Sequence, residues 1–276
     1  MITITVVGSI NLDLIATVER LPAPGETVTG GDFSTAPGGK GANQALAARR
    51  AGAEVRMIGA VGKDAFAGEA LSLLEEGGVD LSHVGRMHAP TGTALILVDA
   101  KGENVIAVVP GANRSVLPGN LAAAGLKKGE YLLLQQEIPL ETVEAALRAA
   151  RKAGAVSVLN TAPFRAEAAS FIGEADYVVA NETEFDLYAD ALSLPKGDRT
   201  GRMAAFTDRT ARTLIVTLGA EGVLAAAPGE TLAVPALKVK PIDTVGAGDT
   251  FCGYLAASLA SGQSLEQALR RATAGA

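Results

Sequence analysis

The sequence predicts an α/β fold, a mostly parallel central sheet with helices on both faces, to which a small β-sheet lid is attached. Three observations predict it. Short runs rich in Val, Ile and Leu recur along the chain, and Ala/Leu-rich stretches with helical spacing separate them. Two regions, residues 11 to 35 and 91 to 109, break this alternation and read as strands with no helix between them. Strands that alternate with whole helices return to pair in the same direction, which makes the sheet parallel and covers both its faces.

The first run, residues 2 to 8, ends in Gly8 and reads as a buried strand. It is followed by "SINLDL", residues 9 to 14, in which Asn11 and Asp13 fall on one face of an extended segment. They form either a polar pair over a pocket or a solvent-facing edge. In "PGGKGANQALAARRAG", residues 37 to 52, paired glycines precede a helix over 41 to 52 and place Lys40 and Asn43 at its first turn. A loop-to-helix corner with an exposed lysine accounts for this. A polyhydroxylated ligand accounts for it equally, because a carboxamide offers a donor and an acceptor to adjacent hydroxyls. Further strands are predicted at 55 to 61, 130 to 134, 156 to 159, 176 to 180 and 213 to 217, with helices over 64 to 77, 139 to 153, 183 to 192 and 198 to 210. Within 91 to 109, Lys101 and Gly102 supply a hairpin turn, and the strands there form a lid or an edge extension. The chain ends in a helical pattern, "ALRRATAGA", and no internal repeat or low-complexity linker interrupts residues 1–276, which read as one domain with an inserted sheet.

Composition removes several function classes. With 24 Lys and Arg against 30 Asp and Glu the net charge is −6, and no basic stripe exists to hold a nucleic-acid backbone. The apolar start lacks a basic leader and is too short to span a bilayer, so a cytoplasmic protein without membrane attachment is expected. Cys252, the single cysteine, makes no internal disulfide or zinc pattern and reads as a small core residue. Only His83 and His88 are present, in a polar stretch, which argues against chemistry built on several histidines.

The most informative stretch is "DTVGAGDTFCG", residues 243 to 253. It is no Walker loop, nor is "GGKGAN", and "GAGDTF" puts Phe251 where a dinucleotide fingerprint needs its last glycine. A nicotinamide-dependent dehydrogenase is therefore disfavoured. Gly246, Ala247 and Gly248 are expected in the first turn of a helix, whose unpaired N–H groups and positive end attract an anion. Asp249 follows, and either complements the helix dipole or accepts a proton from a hydroxyl that attacks a phosphorus.

Together "GSINLD", "GGKGANQA", "AVGKDAFAG", "LLLQQEIP", "NETE", "VTLGAEG" and "DTVGAGDTF", in this order, make the chain resemble the ribokinase family of pfkB-type carbohydrate and nucleoside kinases over nearly its whole length. The resemblance implies a β-sheet lid over a sugar and ATP-dependent phosphorylation of D-ribose at its 5-hydroxyl. Another furanose or nucleoside substrate (fructose, deoxyribose) and a non-catalytic sugar-binding relative are the alternatives. Asp249 is then the base, with an ordinary carboxylate pKa of about 4, and Gly246, Ala247 and Gly248 form the anion hole. Asn11, Asp13, Gly39, Lys40, Asn43 and Glu137 are implied as sugar contacts. Asn181, Glu184, Thr217, Gly219, Gly222 and Gly248 are implied for ATP, with Glu184 acting on Mg2+ through water. Asp243 and Val245 are implied for a monovalent cation, K+. A homodimer through the lid sheet is expected, since its edge is otherwise an association hazard. The family's C-terminal segment, a strand and loop beside the adenine and cation sites, is expected to be missing after residue 276.

Overall fold

The computed structural model describes residues 3–239 and 245–276. Its first half runs β1 (Thr3–Val7), β2 (Asn11–Val18), β3 (Gly30–Gly38), α1 (Lys40–Arg50), β4 (Glu54–Gly62), α2 (Phe66–Glu76), β5 (Asp80–Met87), β6 (Gly92–Val98) and β7 (Asn104–Val109). Then follow α3 (Pro118–Ala124), β8 (Tyr131–Leu134), α4 (Leu140–Ala153), β9 (Val156–Asn160), β10 (Tyr177–Asn181) and α5 (Glu182–Ala191). The last part holds α6 (Arg199–Thr210), β11 (Thr213–Thr217), β12 (Val223–Ala227), β13 (Glu230–Val234), α7 (Ala247–Ala260) and α8 (Leu265–Gly275).

The described strands form a nine-stranded sheet, ordered β13-β12-β11-β10-β9-β8-β1-β4-β5, and a separate four-stranded sheet, ordered β3-β2-β6-β7. Strands β11 through β5 of the large sheet pair in parallel. Its central strands are apolar on both faces because helices cover both: Ile4, Val6 and Val7 of β1 are fully buried. One face packs on α1, α2, α7 and α8, and the other on α3 through α6. Local sequence supports these helices. In α4, Glu141 sits in the first turn, Arg151 and Lys152 in the last, and Gly154 closes the helix in the left-handed conformation.

The small sheet is built from the two non-alternating regions. Strand β2 pairs antiparallel with β3 but parallel with β6, so the chain crosses from the large sheet between them. Strand β3 runs on to Gly38, past the expected limit at residue 35. Phe33, Leu95, Val105, Ile106, Val108 and Val109 leave this sheet with apolar side chains exposed.

Three strands lie outside the sequence-based expectation. The sequence of β5, DLSHVGRM, is an edge strand of mixed polarity without an apolar run. Strands β12 and β13 join antiparallel through a turn at Pro228 and Gly229, and the alanine-rich VLAAA of β12 carries little β signal. That edge is consequently antiparallel.

Helices α1 and α7 lie side by side, and Gly253 of α7 packs directly against Ala47 and Ala48 of α1. A Cβ there would come 2.6 Å from both Ala47 Cβ and the Ala48 backbone N. Gly253→Val is therefore expected to lower the unfolding free energy by about 1–3 kcal/mol through overpacking, read from urea denaturation; wild-type stability would show that the helices can part without cost.

Candidate active site

The polar residues gather at the C-terminal ends of the parallel strands. Gly8 follows β1, Gln135 follows β8, and Asn160, Asn181 and Thr217 end β9, β10 and β11. Chain order reverses between β1 and β8, since β4 lies on one side of β1 and β8 through β11 on the other. Such a switch point opens a crevice above the sheet. A cleft of about 120 Å3 lies there, lined by Lys40, Asn181, Glu184, Thr217, Gly248 and Asp249 among others.

Helix α7 points its N-terminus into this cleft. Gly246 is its N-cap at φ 76°, a left-handed conformation that suits glycine, so it stands just before the first turn rather than within it. Ala247 and Gly248 open the turn, no side chain caps it, and Asp249 is the third helical residue. Among the described residues no side chain competes for the N–H groups of this turn, a helix end suited to an anion.

Asp249 is only 6 % exposed. Its Oδ1 accepts a hydrogen bond from Gln44 Nε2 at 2.9 Å, and its Oδ2 accepts one from Asn43 Nδ2 at 3.2 Å. Burial pushes its pKa above the ordinary carboxylate value; Lys40, Gln44 and Asn43 act against that push, and Glu137 adds to it. The ordinary pKa expected from the sequence is thus replaced by a raised one. Burial pulls the Lys40 ammonium down, but Asp249, Glu137 and Glu184 outweigh it and hold its pKa above the usual lysine value.

On the side of the small sheet, Asn11 is buried and its Oδ1 accepts from Asn113 Nδ2 at 2.8 Å. The same Asn113 accepts from the Ile10 N–H at 2.9 Å and donates to the Ile10 carbonyl at 3.1 Å. With Oδ1 thus engaged, Asn11 keeps its amide donors for another partner. Asp13 is half-buried with its carboxylate over Gly38, where a Cβ would lie 2.4 Å from it. Burial, with the nearby Glu137 charge, raises the Asp13 pKa to about 6. Glu137 Oε2 accepts from Ser9 Oγ at 2.6 Å and from the Lys40 N–H at 3.1 Å. Gly39, at φ 89°, turns the chain into α1 so tightly that a Cβ would lie 2.8 Å from the Asn11 N.

On the opposite side, Asn181 caps α5 and forms a reciprocal pair with Glu184. Glu184 Oε2 also accepts from Thr161 Oγ1 at 3.4 Å. Among the described residues no group of three or more His, Cys, Asp or Glu could hold a metal alone. Two carboxylates, Glu184 and Asp249, line the cleft, and so small a set suits a Mg2+ carried mainly by phosphates and reached through water. Val245 precedes Gly246 at the helix mouth and is exposed, whereas Asp243 lies outside the described residues.

Gly219 and Gly222 do not line the cleft. Gly219 is exposed, and Gly222 is buried at φ 105° where a Cβ would lie 2.1 Å from the Val234 carbonyl oxygen. The turn between β11 and β12 thus requires Gly222 for its own backbone packing. Cys252 is fully buried, and burial pushes its thiol pKa far up, as befits a packing residue. His88 is exposed. Sequence reasoning missed Ser9, Gln44, Asn113, Gln135, Asn160 and Thr161. Their signal was weak, a polar residue inside or directly after an apolar run.

A model of the pfkB family carbohydrate kinases matches residues 1–276. The chain is 38% identical over 279 residues to a ribokinase of Bacillus subtilis, covering 100% of this chain and 92% of that one. It is 42% identical over 277 residues to a ribokinase of Lactococcus lactis, covering 99% and 88%. The structure of Arabidopsis thaliana ribokinase complexed with ribose and ATP superimposes with a TM-score of 0.84 at 29% identity, covering 99% and 90%.

The raised Asp13 pKa has a consequence for stability. The folded protein binds this proton more tightly than the unfolded chain, so the contribution is full below 3.8 and is lost as pH rises through about 6. Asp13→Asn removes that titration. In urea denaturation the variant should gain stability relative to wild type as pH rises across this window; a constant difference would refute the shift.

Proposed function

The chain belongs to the pfkB family of carbohydrate kinases, and from that premise we propose that it transfers the γ-phosphoryl group of ATP to the 5-hydroxyl of D-ribose, giving D-ribose 5-phosphate. One observation carries the reading beyond the family. Asp249, a buried carboxylate, stands at the N-terminus of α7 with Asn43 beside it, between Glu137 and the cleft that Asn181, Glu184 and Thr217 line.

Asp249 accepts the hydroxyl proton as the oxygen attacks the phosphorus. Its raised pKa improves it as a base once ionised. The N–H groups of the first α7 turn, with Gly246 and Gly248 leaving room, stabilise negative charge on the transferring group. Lys40, assigned to the sugar by its motif, contributes its backbone N–H to Glu137 while its ammonium lines the cleft, where it offsets phosphate charge. Asn11, Asp13, Gly39, Asn43 and Glu137 receive the sugar; a carboxylate such as Asp13 accepts from two adjacent hydroxyls, as a cis-diol requires. Asn181, Glu184 and Thr217 receive ATP, and Glu184 contacts Mg2+ through water. When bound, Mg2+ neutralises phosphate charge. Gly219 and Gly222 shape the turn beside them. Asp243 and Val245 form the monovalent-cation site for K+. The apolar surface of the small sheet is proposed as the contact of a homodimer.

The test combines a substrate panel with one variant. ADP release is measured with ribose, deoxyribose, fructose and nucleosides, and ribose is expected to turn over fastest. Turnover confined to a nucleoside would overturn the substrate. Asp249→Asn should lower kcat at least about 1,000-fold and leave ribose affinity nearly unchanged; retained turnover would mean that the base lies elsewhere.

A further inference from the structure

Two buried glutamines form a chain of amide hydrogen bonds that ends on Asp249. Gln44, fully buried on α1, donates through Nε2 to Asp249 Oδ1 at 2.9 Å and to Asn160 Oδ1 at 3.3 Å. Its Oε1 accepts from Gln135 Nε2 at 2.7 Å. Both faces of the carboxamide are thereby engaged. The direction of the chain is fixed as well. Asn160 presents its oxygen to Gln44 because its own Nδ2 donates to the Val179 carbonyl at 3.3 Å. A flipped Gln44 would set Oε1 against Asp249 Oδ1 and Asn160 Oδ1, and Nε2 against Gln135 Nε2. Between buried side chains such like-to-like contacts are strongly unfavourable.

Core packing does not explain this chain. Gln135 Oε1 is buried and has no hydrogen-bond partner among the described residues. It rests against Gly8, where a Cβ would lie 2.0 Å away, so it fills space that only glycine leaves. An apolar side chain of similar length would fill the same space without a stranded acceptor. What the glutamine adds is a donor aimed at Gln44. The rest of the environment of Asp249 is set by Asn43, Lys40 and Glu137, with Cys252 behind it on α7 and Glu184 also near Lys40.

We infer that Gln44 is a positioning residue for the base of phosphoryl transfer, holding Asp249 by Oδ1 so that Oδ2 is turned toward the substrate, and that Gln135 acts through Gln44. This rests on the assignment of Asp249 as base. The Oδ2 side is the one met by Asn43, at the sugar end of α1, which leaves Oδ1 as the oxygen that can be tied down without blocking the reaction. Gln44 also donates to the ionised form of the carboxylate, so removing it raises the pKa of Asp249 with no change of formal charge nearby.

The experiment uses the full chain with ribose and MgATP and the variants Gln44→Met, Gln135→Met, both together, and Asp249→Asn. Gln44→Met should lower kcat about 10- to 100-fold, the loss of one hydrogen bond to a charged group. It should leave the ribose KM within about threefold and move the acid limb of kcat/KM to higher pH. Gln135→Met should do the same to a smaller degree, and the double variant should be no worse than Gln44→Met, because the two residues act in series. Wild-type kcat and an unmoved acid limb in Gln44→Met would overturn the inference, as would additive losses in the double variant. If circular dichroism shows Gln44→Met unfolded, the acid limb of Gln135→Met decides in the same sense. Asp249→Asn separates the two readings: turnover in that variant refutes the base itself, whereas its inactivity beside a wild-type Gln44→Met profile refutes only the positioning.

Discussion

The site depends on how closely α1 can approach the corner after β1 and the flank of α7. Neither contact admits a side chain. A Cβ on Gly41 would lie 2.6 Å from the Gly8 carbonyl carbon and the Ser9 N, and one on Gly253 would meet Ala48 at the same distance. Because these glycines let backbone meet backbone, the N-terminal turns of two helices from opposite ends of the chain converge. Gln44 and Asp249, 205 positions apart, then share a 2.9 Å hydrogen bond. Asn43, proposed for the sugar, rides on α1, and the turn proposed to receive the anion opens α7. Their mutual placement is therefore set by rigid helix packing, which holds reacting groups more accurately than loops do.

That packing also governs the electrostatics. Bringing Asp249 into the interface buries a carboxylate, which is costly unless the charge is hydrogen-bonded or paired. Gln44, Asn43 and Lys40 supply the compensation, yet the net shift of Asp249 remains upward. The low dielectric that raises it also strengthens the pull of the α7 N–H groups on phosphate charge. A more exposed aspartate would be easier to ionise, but the N–H groups beside it would then be screened by water. In the proposed reaction the burial favours anion binding at α7, and the amides of Asn43 and Gln44 offset its cost for the carboxylate.

The sequence made the alternating elements legible because parallel strands buried on both faces produce unbroken apolar runs, and their helices carry ordinary caps. It did not disclose β5, β12 or β13, where edge position weakens the apolar signal or alanine blurs it. Asn11, Asp13 and Asp249 stood out as candidates because each breaks an apolar or glycine-rich segment at a strand or helix end, whereas Glu137 came from the family resemblance. Gln44 was not. A glutamine one residue after Asn43 looks like a surface residue until the helix is seen to be buried on nearly all sides. Asn113 was hidden for a related reason, since it sits in a short turn and its partners lie 102 and 103 positions away. Gly222, implied for ATP by the resemblance, is in addition required by its own turn, where a Cβ would clash with the Val234 carbonyl oxygen.

Asn113 also joins the two places where the chain passes between the large and the small sheet. Its carboxamide bonds both the N–H and the carbonyl of Ile10 and the side chain of Asn11, all within the first step from the large sheet into the small one. Gly92 leaves the room for this pair, since a Cβ there would lie 2.3 Å from each amide. The root of β2 is thus tied to the short turn that follows β7, and β7 itself carries exposed side chains along its whole length. Asn11 is therefore held by buried hydrogen bonds at the step out of the large sheet, whereas Asp13, two residues further along β2, is only half-buried with the Glu137 charge nearby.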